Sequence, residues 1–435
     1  MCRKWSLSTG TIELLLAVSI AVLLQGCARS PIKSVDKAMR VSQSGLTYED
    51  DLSFAGFEKA ITINIEALKK NNQETLIFGP YSINKKDYLT ALESLKANVT
   101  QDLKANVPGQ PVFVSTQKNL AENFVQLEVY GGDNWGDIFM TSYFEPIISG
   151  ALKKTKKYTQ PLYGLPEDMV FVKVYDFAER FPQLLARPEA LASQKFREGL
   201  RGRVVKSTEP SLPQVVPYYP RAGIDSTEMP LKKTSKIIAW VDPVDAFFLH
   251  IQGSGRVQIE GAKAREIRVA YAGQNGHDYA AIGQFLFDLI PKEKMSLQKI
   301  ESHLRSLPPD QMQELMNKNP SYVFFTSTDK KAVTYFGNEA QAGRTIATDA
   351  KYFPKGALAL LEFDHPVFAS ATSEEPSEFK KVSRFVFDQD TGGAIKGPGR
   401  VDLLWGSGPE AKQHSGVIKN RGRLYYLFPK AFVTK

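Results

Sequence analysis

At 435 residues the chain is long enough for more than one hydrophobic core, because single cores stop growing at ~250–300 residues and longer chains divide into domains. Its two cysteines exclude a disulfide-dense scaffold. The net charge of +8 is carried by dispersed Lys and Arg, apart from the loop-like run Lys153-Lys154-Thr155-Lys156-Lys157; this suits steering toward an anionic partner without choosing between nucleic acid, anionic lipid and other polyanions.

The first element in chain order is an export signal. Arg3 and Lys4 precede an apolar run from Leu14 to Leu24, too short for a mature membrane span of about 20 residues but right for the h-region of a secretory signal. It ends at Leu24-Gln25-Gly26-Cys27, a pattern that reads as a bacterial lipoprotein processing site. Residues 1–26 are then the signal peptide and Cys27 the lipidated first residue of the mature chain; the alternative is an ordinary signal peptide with a chance cysteine. Cys2 leaves with the signal, so no internal disulfide is expected. Several acyl chains on Cys27 would hold the protein firmly to a membrane. Export removes nucleic acid as a partner. Ala28, rather than Asp, follows the cysteine, which by resemblance to Gram-negative lipoproteins predicts the outer membrane, facing the periplasm. Residues 27–46 are polar and without periodicity, as a tether would be.

Leu52, Phe54, Phe57, Ile61, Ile65 and Leu68 recur at helical spacing, as do Tyr88, Leu89, Leu92 and Leu95. Ser296 before LQKIESHL and Asp310 before QMQELMNK predict two further N-capped helices, each closed by a proline. Short runs rich in β-branched and aromatic residues predict strands at Val112 to Ser115, Phe124 to Tyr130, Val170 to Val174, Ile237 to Val241 and Ala246 to Ile251. Others are expected at Tyr322 to Thr326, Ala357 to Phe363, Phe385 to Phe387 and Leu424 to Phe428. Many short strands with few long helices point to a mainly β protein with accessory helices. There is no internal repeat. The Pro-rich stretch Pro210 to Pro230 reads equally as a linker or an ordered loop.

Several chemistries find no support. The five histidines form neither HExxH nor a short His–His pair, so no metal is expected. Ser254 has Gln252, not Gly, two residues before it, which breaks the serine-hydrolase elbow. Neither Gly392 to Gly397 nor Gly406-Ser407-Gly408 has phosphate-loop spacing. One segment stands out: Asp390-Thr391-Gly392-Gly393-Ala394-Ile395-Lys396-Gly397-Pro398-Gly399-Arg400-Val401-Asp402. Two carboxylates bracket a glycine-rich, apolar loop that carries a cation. A carboxyl in apolar surroundings keeps its proton toward neutral pH and can serve as a general acid on a glycosidic oxygen. The residues alone fit two turn-capping aspartates equally well.

This segment is the last of an ordered series: Thr141-Ser142-Tyr143-Phe144-Glu145-Pro146, Pro161 to Pro166, Arg221 to Asp225, Ala239 to Asp245, Phe247 to Gly255, Asn275 to Tyr279, Ile282-Gly283, Asn319 to Phe325 and Gly343 to Asp349. In this series the chain resembles the membrane-bound lytic murein transglycosylase A (MltA) family. It departs from the family at Ser142-Tyr143-Phe144, where Gly-Tyr-Tyr is usual, and at Leu404, where an aromatic is common.

The resemblance implies a double-ψ β-barrel main domain with a smaller inserted β-domain. The main domain would take residues 47–145 and 321–435, and the insert 146–320, with a glycan in the groove between them. It implies that Asp402 is the acid and base and that Asp390 supports its position or protonation. Tyr143, Gln252, Ser254, Gly255 and Lys396 become candidate glycan-binding residues. The implied reaction protonates the glycosidic oxygen from Asp402. The same carboxylate then takes the proton of the muramoyl C6 hydroxyl as it closes on C1, leaving a 1,6-anhydromuramoyl end. Because the nucleophile belongs to the substrate, one carboxylate suffices where hydrolases usually need two. No cofactor is implied. Two other readings are a hydrolase using Asp390 and Asp402 as a pair, since fold alone does not fix chemistry, and a non-catalytic wall-binding lipoprotein.

Overall fold

The computed structural model describes residues 34–43, 48–105, 113–131, 134–173, 177, 199–206, 212–261, 265–329, 333–393 and 395–433. The signal peptide, Cys27 and half of the expected tether lie outside the described residues; within the described half Met39–Val41 pairs with Leu127–Val129 and Ala38 and Met39 are buried, so the folded domain begins before residue 47. In chain order the strands are β1 Met39–Val41, β2 Thr75–Phe78, β3 Tyr81–Asn84, β4 Phe124–Val129, β5 Asp137–Glu145, β6 Ile147–Ala151, β7 Gln160–Tyr163, β8 Met169–Val172, β9 Leu200–Val205 and β10 Gln214–Pro217. They continue with β11 Ile237–Val241, β12 Ser254–Ile259, β13 Glu266–Gln274, β14 Val323–Thr328, β15 Thr345–Ala347, β16 Ala357–Val367, β17 Glu378–Asp390, β18 Arg400–Ser407 and β19 Lys419–Pro429. The longer helices are α1 Phe57–Lys70, α2 Lys85–Ala105, α3 Val114–Asn123, α4 Pro243–Gln252, α5 Leu297–Ser306, α6 Pro309–Asn317 and α7 Gly408–Ser415.

Hydrogen bonding runs β1-β4-β19-β16-β17-β15-β18-β5, and β5 also pairs with β19. That last pairing closes β19, β16, β17, β15, β18 and β5 into a barrel, which removes their open edges. Two of its junctions, β15 with β17 and β18 with β5, are parallel. The barrel thus unites β5 with strands that follow nearly 200 residues later. A second, six-stranded sheet, β14-β13-β12-β6-β11-β7, uses only strands between Ile147 and Thr328. An isolated bridge from Gly164 to Phe325 ties its two ends together. A three-stranded sheet, β10-β9-β8, stands apart.

The expected apolar runs form the barrel strands: β16 and β17 are buried continuously over Ala357–Leu361 and Phe385–Phe387, and Leu358, Leu360, Phe385 and Phe387 lie in the main core. Phe57 of α1 stacks on Phe387, with ring centroids 5.6 Å apart. The segment before α1 is pinned by charge. Asp50 takes a two-pronged hydrogen bond from buried Arg344, and Asp51 pairs with Arg384. Leu52 and Phe54, expected on the first helix, precede it in turns; Phe54 has φ +55°, and the helix starts only after Gly56.

Three local expectations are corrected. Ala246 to Ile251 is helix, not strand. Asp242 accepts from the backbone N–H groups of Val244 and Asp245, Pro243 takes the first helical position, and Gly253 ends the helix at φ +79°. A short run that is apolar on every side carries no period by which to tell helix from strand. Val114 and Ser115, expected in a strand, begin α3, where the Asp102 carboxylate accepts from the N–H groups of Ser115 and Thr116. Ser296 caps α5 through its hydroxyl, as expected, but α6 starts at Pro309, so Asp310 lies in its first turn rather than capping it. Within the Pro-rich stretch, Gln214–Pro217 is a strand and Arg221–Ile224 a helical turn, so that part is ordered.

Candidate active site

Register brings the two aspartates together. Ala347 of short β15 is paired on one side with Asp390 at the end of β17 and on the other with Asp402 of β18. On its far side Asp402 is paired with Thr141 of β5, and Leu404 with Tyr143. Residues far apart in sequence thus meet across four adjacent strands of the barrel wall, β17, β15, β18 and β5.

The two carboxyls have different surroundings. Both oxygens of Asp390 are engaged: its Oδ2 accepts from the Tyr143 hydroxyl at 2.9 Å, and its Oδ1 from the N–H groups of Tyr335 at 3.0 Å and Thr391 at 2.9 Å. The Asp402 residue keeps partial exposure, but its Oδ1 is sealed from solvent and has no hydrogen-bond partner. Burial pushes the Asp402 carboxyl up to about 7; a Thr141 hydrogen bond and the Arg400 guanidinium oppose the rise, and the charge of Asp390 adds to it. An unpaired carboxylate in a desolvated place is costly, so the proton stays. Arg400 also donates to the Thr141 hydroxyl at 3.3 Å. The Tyr143 phenol is held well above its usual range, by burial first and then by Asp390, so it remains a donor to that carboxylate.

The other expected residues sit where the second sheet meets the barrel. The Gln252 side-chain carbonyl accepts from the Phe144 N–H at 3.0 Å. Ser254 opens β12 and is partly exposed. Gly255 is buried, and a Cβ there would lie 2.5 Å from Leu249 Cδ1 and 3.0 Å from the Pro146 carbonyl. A side chain there would have to displace Leu249 and crowd the Pro146 carbonyl, so glycine suits this approach. Next to it, Arg256 donates to the Ser407 hydroxyl at 2.6 Å and pairs with Glu145 at 3.1 Å. Lys396 is exposed on the loop between β17 and β18. The backbone of that loop is fixed by Asp349, which accepts from the Gly397 N–H at 2.8 Å.

Sequence reasoning did not single out Thr141, Arg400, Asp349, Lys355 or Asp388. The available signal was the alternation Asp388-Gln389-Asp390 directly after the strand expected at Phe385 to Phe387, since residues two apart on a continuing strand share a face. Lys355 carried none, because its role depends on a contact 33 residues away. Among the described residues, no group of three or more His, Cys, Asp or Glu is arranged to hold a metal ion.

Comparison with known proteins matches residues 139–326 to the MltA specific insert domain and residues 344–428 to the 3D domain. The chain belongs to the MltA family. Membrane-bound lytic murein transglycosylase A of Vibrio cholerae is 26% identical over 423 residues, covering 95% of this chain and 94% of that protein. The crystal structure of MltA from Neisseria gonorrhoeae in its monoclinic form is 26% identical, covers 88% of this chain and 89% of that one, and superposes with a TM-score of 0.62. Escherichia coli MltA with bound chitohexaose, 19% identical, covers 93% and 99% with a TM-score of 0.59, and shows the same fold. The mainly β, barrel-based architecture expected from the family is therefore that of its solved members.

Proposed function

We propose that this MltA-family protein is a peptidoglycan lytic transglycosylase. It cleaves the bond from N-acetylmuramic acid to N-acetylglucosamine without water and leaves 1,6-anhydromuramoyl ends, with Asp402 as the single acid and base. The observation that carries this reading is the asymmetry of the two aspartates. Asp402 has a sealed, unpartnered oxygen and holds its proton to about 7, as a general acid working near neutral pH must. Asp390 has both oxygens engaged by Tyr143, Tyr335 and Thr391, so it is held in place beside Asp402, as an orienting group would be. The difference between the two carboxyls favours one acid over an equivalent pair. The family names support transglycosylase chemistry, and the chitohexaose bound to Escherichia coli MltA supports a glycan ligand.

We assign the barrel, with its two parallel junctions, to the double-ψ main domain, expected at residues 47–145 and 321–435, and the second sheet to the insert, expected at 146–320; because β14 pairs within the second sheet, the insert extends to Thr328 and the main domain resumes after it. The glycan then lies where they meet, against Tyr143, Gln252, Ser254 and Lys396, with Gly255 allowing the close packing that sets Gln252 beside β5. Among the described residues no helix is long and apolar enough to cross a membrane, and the relatives are named membrane-bound. Lipid on Cys27, holding the enzyme to the outer membrane on its periplasmic side, accounts for both.

The test is mass spectrometry of muropeptides released from purified sacculi by the chain lacking residues 1–27. Products about one water lighter than reducing muropeptides are expected. Full-mass products that take up oxygen from labelled water would make the protein a hydrolase. Binding without release, while a known muramidase digests the same sacculi, would make it a wall-binding protein.

A further inference from the structure

Directly behind the two aspartates lies a buried charge pair that the proposed chemistry does not itself use. Lys355 Nζ donates to Asp388 Oδ1 at 2.7 Å, to the Asp390 carbonyl at 2.7 Å, and to the carbonyl and hydroxyl of Thr348 at 3.1 and 2.9 Å. Asp388 is fully buried and Lys355 is 6% exposed. The second oxygen of Asp388 accepts from the Thr348 hydroxyl at 2.5 Å and the Tyr426 hydroxyl at 2.6 Å. Every proton of the ammonium and both oxygens of the carboxylate therefore have partners, the condition under which a buried pair holds one geometry. The pair does more than fill the core. The Asp390 carbonyl takes its two hydrogen bonds from Lys355 and from the Thr348 N–H at 3.1 Å, both belonging to this network.

We infer that Lys355 and Asp388 are positioning residues of the reaction, a fixed ion pair that sets the backbone of Asp390 and thereby the place of its carboxylate beside Tyr143 and Asp402. The inference rests on the transglycosylase reading. It has a physical consequence separable from folding. The negative charge of Asp390 adds to the proton affinity of Asp402, so an Asp390 released from its anchor lets Asp402 lose its proton at lower pH. Glycan contacts at the surface of the groove are untouched, because both residues of the pair are buried away from solvent.

The experiment uses the full chain purified in detergent, acting on un-cross-linked glycan strands. Removing one charge would strand the other, so both are neutralised together, as Lys355→Met with Asp388→Asn. The melting curve shows that the variant is folded. Expected are a fall in kcat of about tenfold, an apparent KM within about twofold of the parent, and an alkaline limb of kcat/KM moved to lower pH. A folded double variant with parental kcat and an unmoved limb overturns the inference. If the double variant does not fold, Tyr426→Phe removes one donor to Asp388, and the same pattern at about threefold in kcat is expected; parental behaviour there overturns it equally. A parent chain inert on these strands would overturn the transglycosylase reading and this inference with it, whereas an active parent with indifferent variants sinks the inference alone.

Discussion

Replacing Asp402 by Asn separates the acid from its surroundings, and its consequences can be worked out in both activity and stability. Burial raises this carboxyl from 3.8 to about 7. At ~1.4 kcal/mol per pH unit, that difference amounts to roughly 4 kcal/mol. Below pH ~4 the group is protonated in the folded and unfolded chains alike and contributes nothing. From there to about pH 7 the unfolded chain ionises while the folded one keeps its proton, so native stability falls as pH rises. Above pH 7 the folded carboxyl ionises too, and the cost stays constant. Asparagine has the same shape and never ionises. The variant should therefore match the parent near pH 4 and exceed it by up to about 4 kcal/mol at pH 8, while cleavage drops at least ~100-fold. Urea unfolding of both chains, each lacking residues 1–27, at four or five pH values, with turnover on sacculi alongside, measures both. A stability difference flat with pH would refute the buried-acid argument, and activity within tenfold of the parent would remove Asp402 from the role.

Other expectations follow from the same geometry. The kcat/KM of the parent should fall above about pH 7, where Asp402 loses its proton, which a pH–rate profile checks. Tyr143→Phe removes the hydroxyl that holds Asp390 Oδ2 and should lower kcat about tenfold, with fold retained by circular dichroism. Gly255→Val would push side-chain atoms into Leu249 and the Pro146 carbonyl; a destabilisation of about 1–3 kcal/mol is expected by urea titration, with loss of activity as Gln252 is displaced from the Phe144 N–H. Arg344→Ala strands buried Asp50 and should cost about 3–5 kcal/mol on the same assay. Cys27→Ala should move the protein from the membrane to the soluble fraction; membrane retention on fractionation would point to a different anchor.

What the sequence determined by itself was local or short-range. Helical spacing marked α1 and α2, Ser296 marked the start of α5, and runs of β-branched and aromatic residues marked β16, β17 and β19, three of the six barrel strands, because these signals are local. The segment from Asp390 to Asp402 stood out by its local composition, two carboxylates around a glycine-rich loop, but those residues alone fit turn-capping aspartates equally well, and its reading as a site came from the family resemblance. Tertiary structure decided the rest. Whether Ala246 to Ile251 was helix or strand turned on the Asp242 cap and the glycine that ends it, since an all-apolar run has no period of its own. Which aspartate keeps a proton turned on contacts no local pattern encodes. Asp390 is filled by Tyr143 and Tyr335, while Asp402 Oδ1 is enclosed without a partner. The pairing of Lys355 with Asp388 likewise exists only once β17 has closed into the barrel, because solvation and charge depend on what surrounds a group in space rather than along the chain.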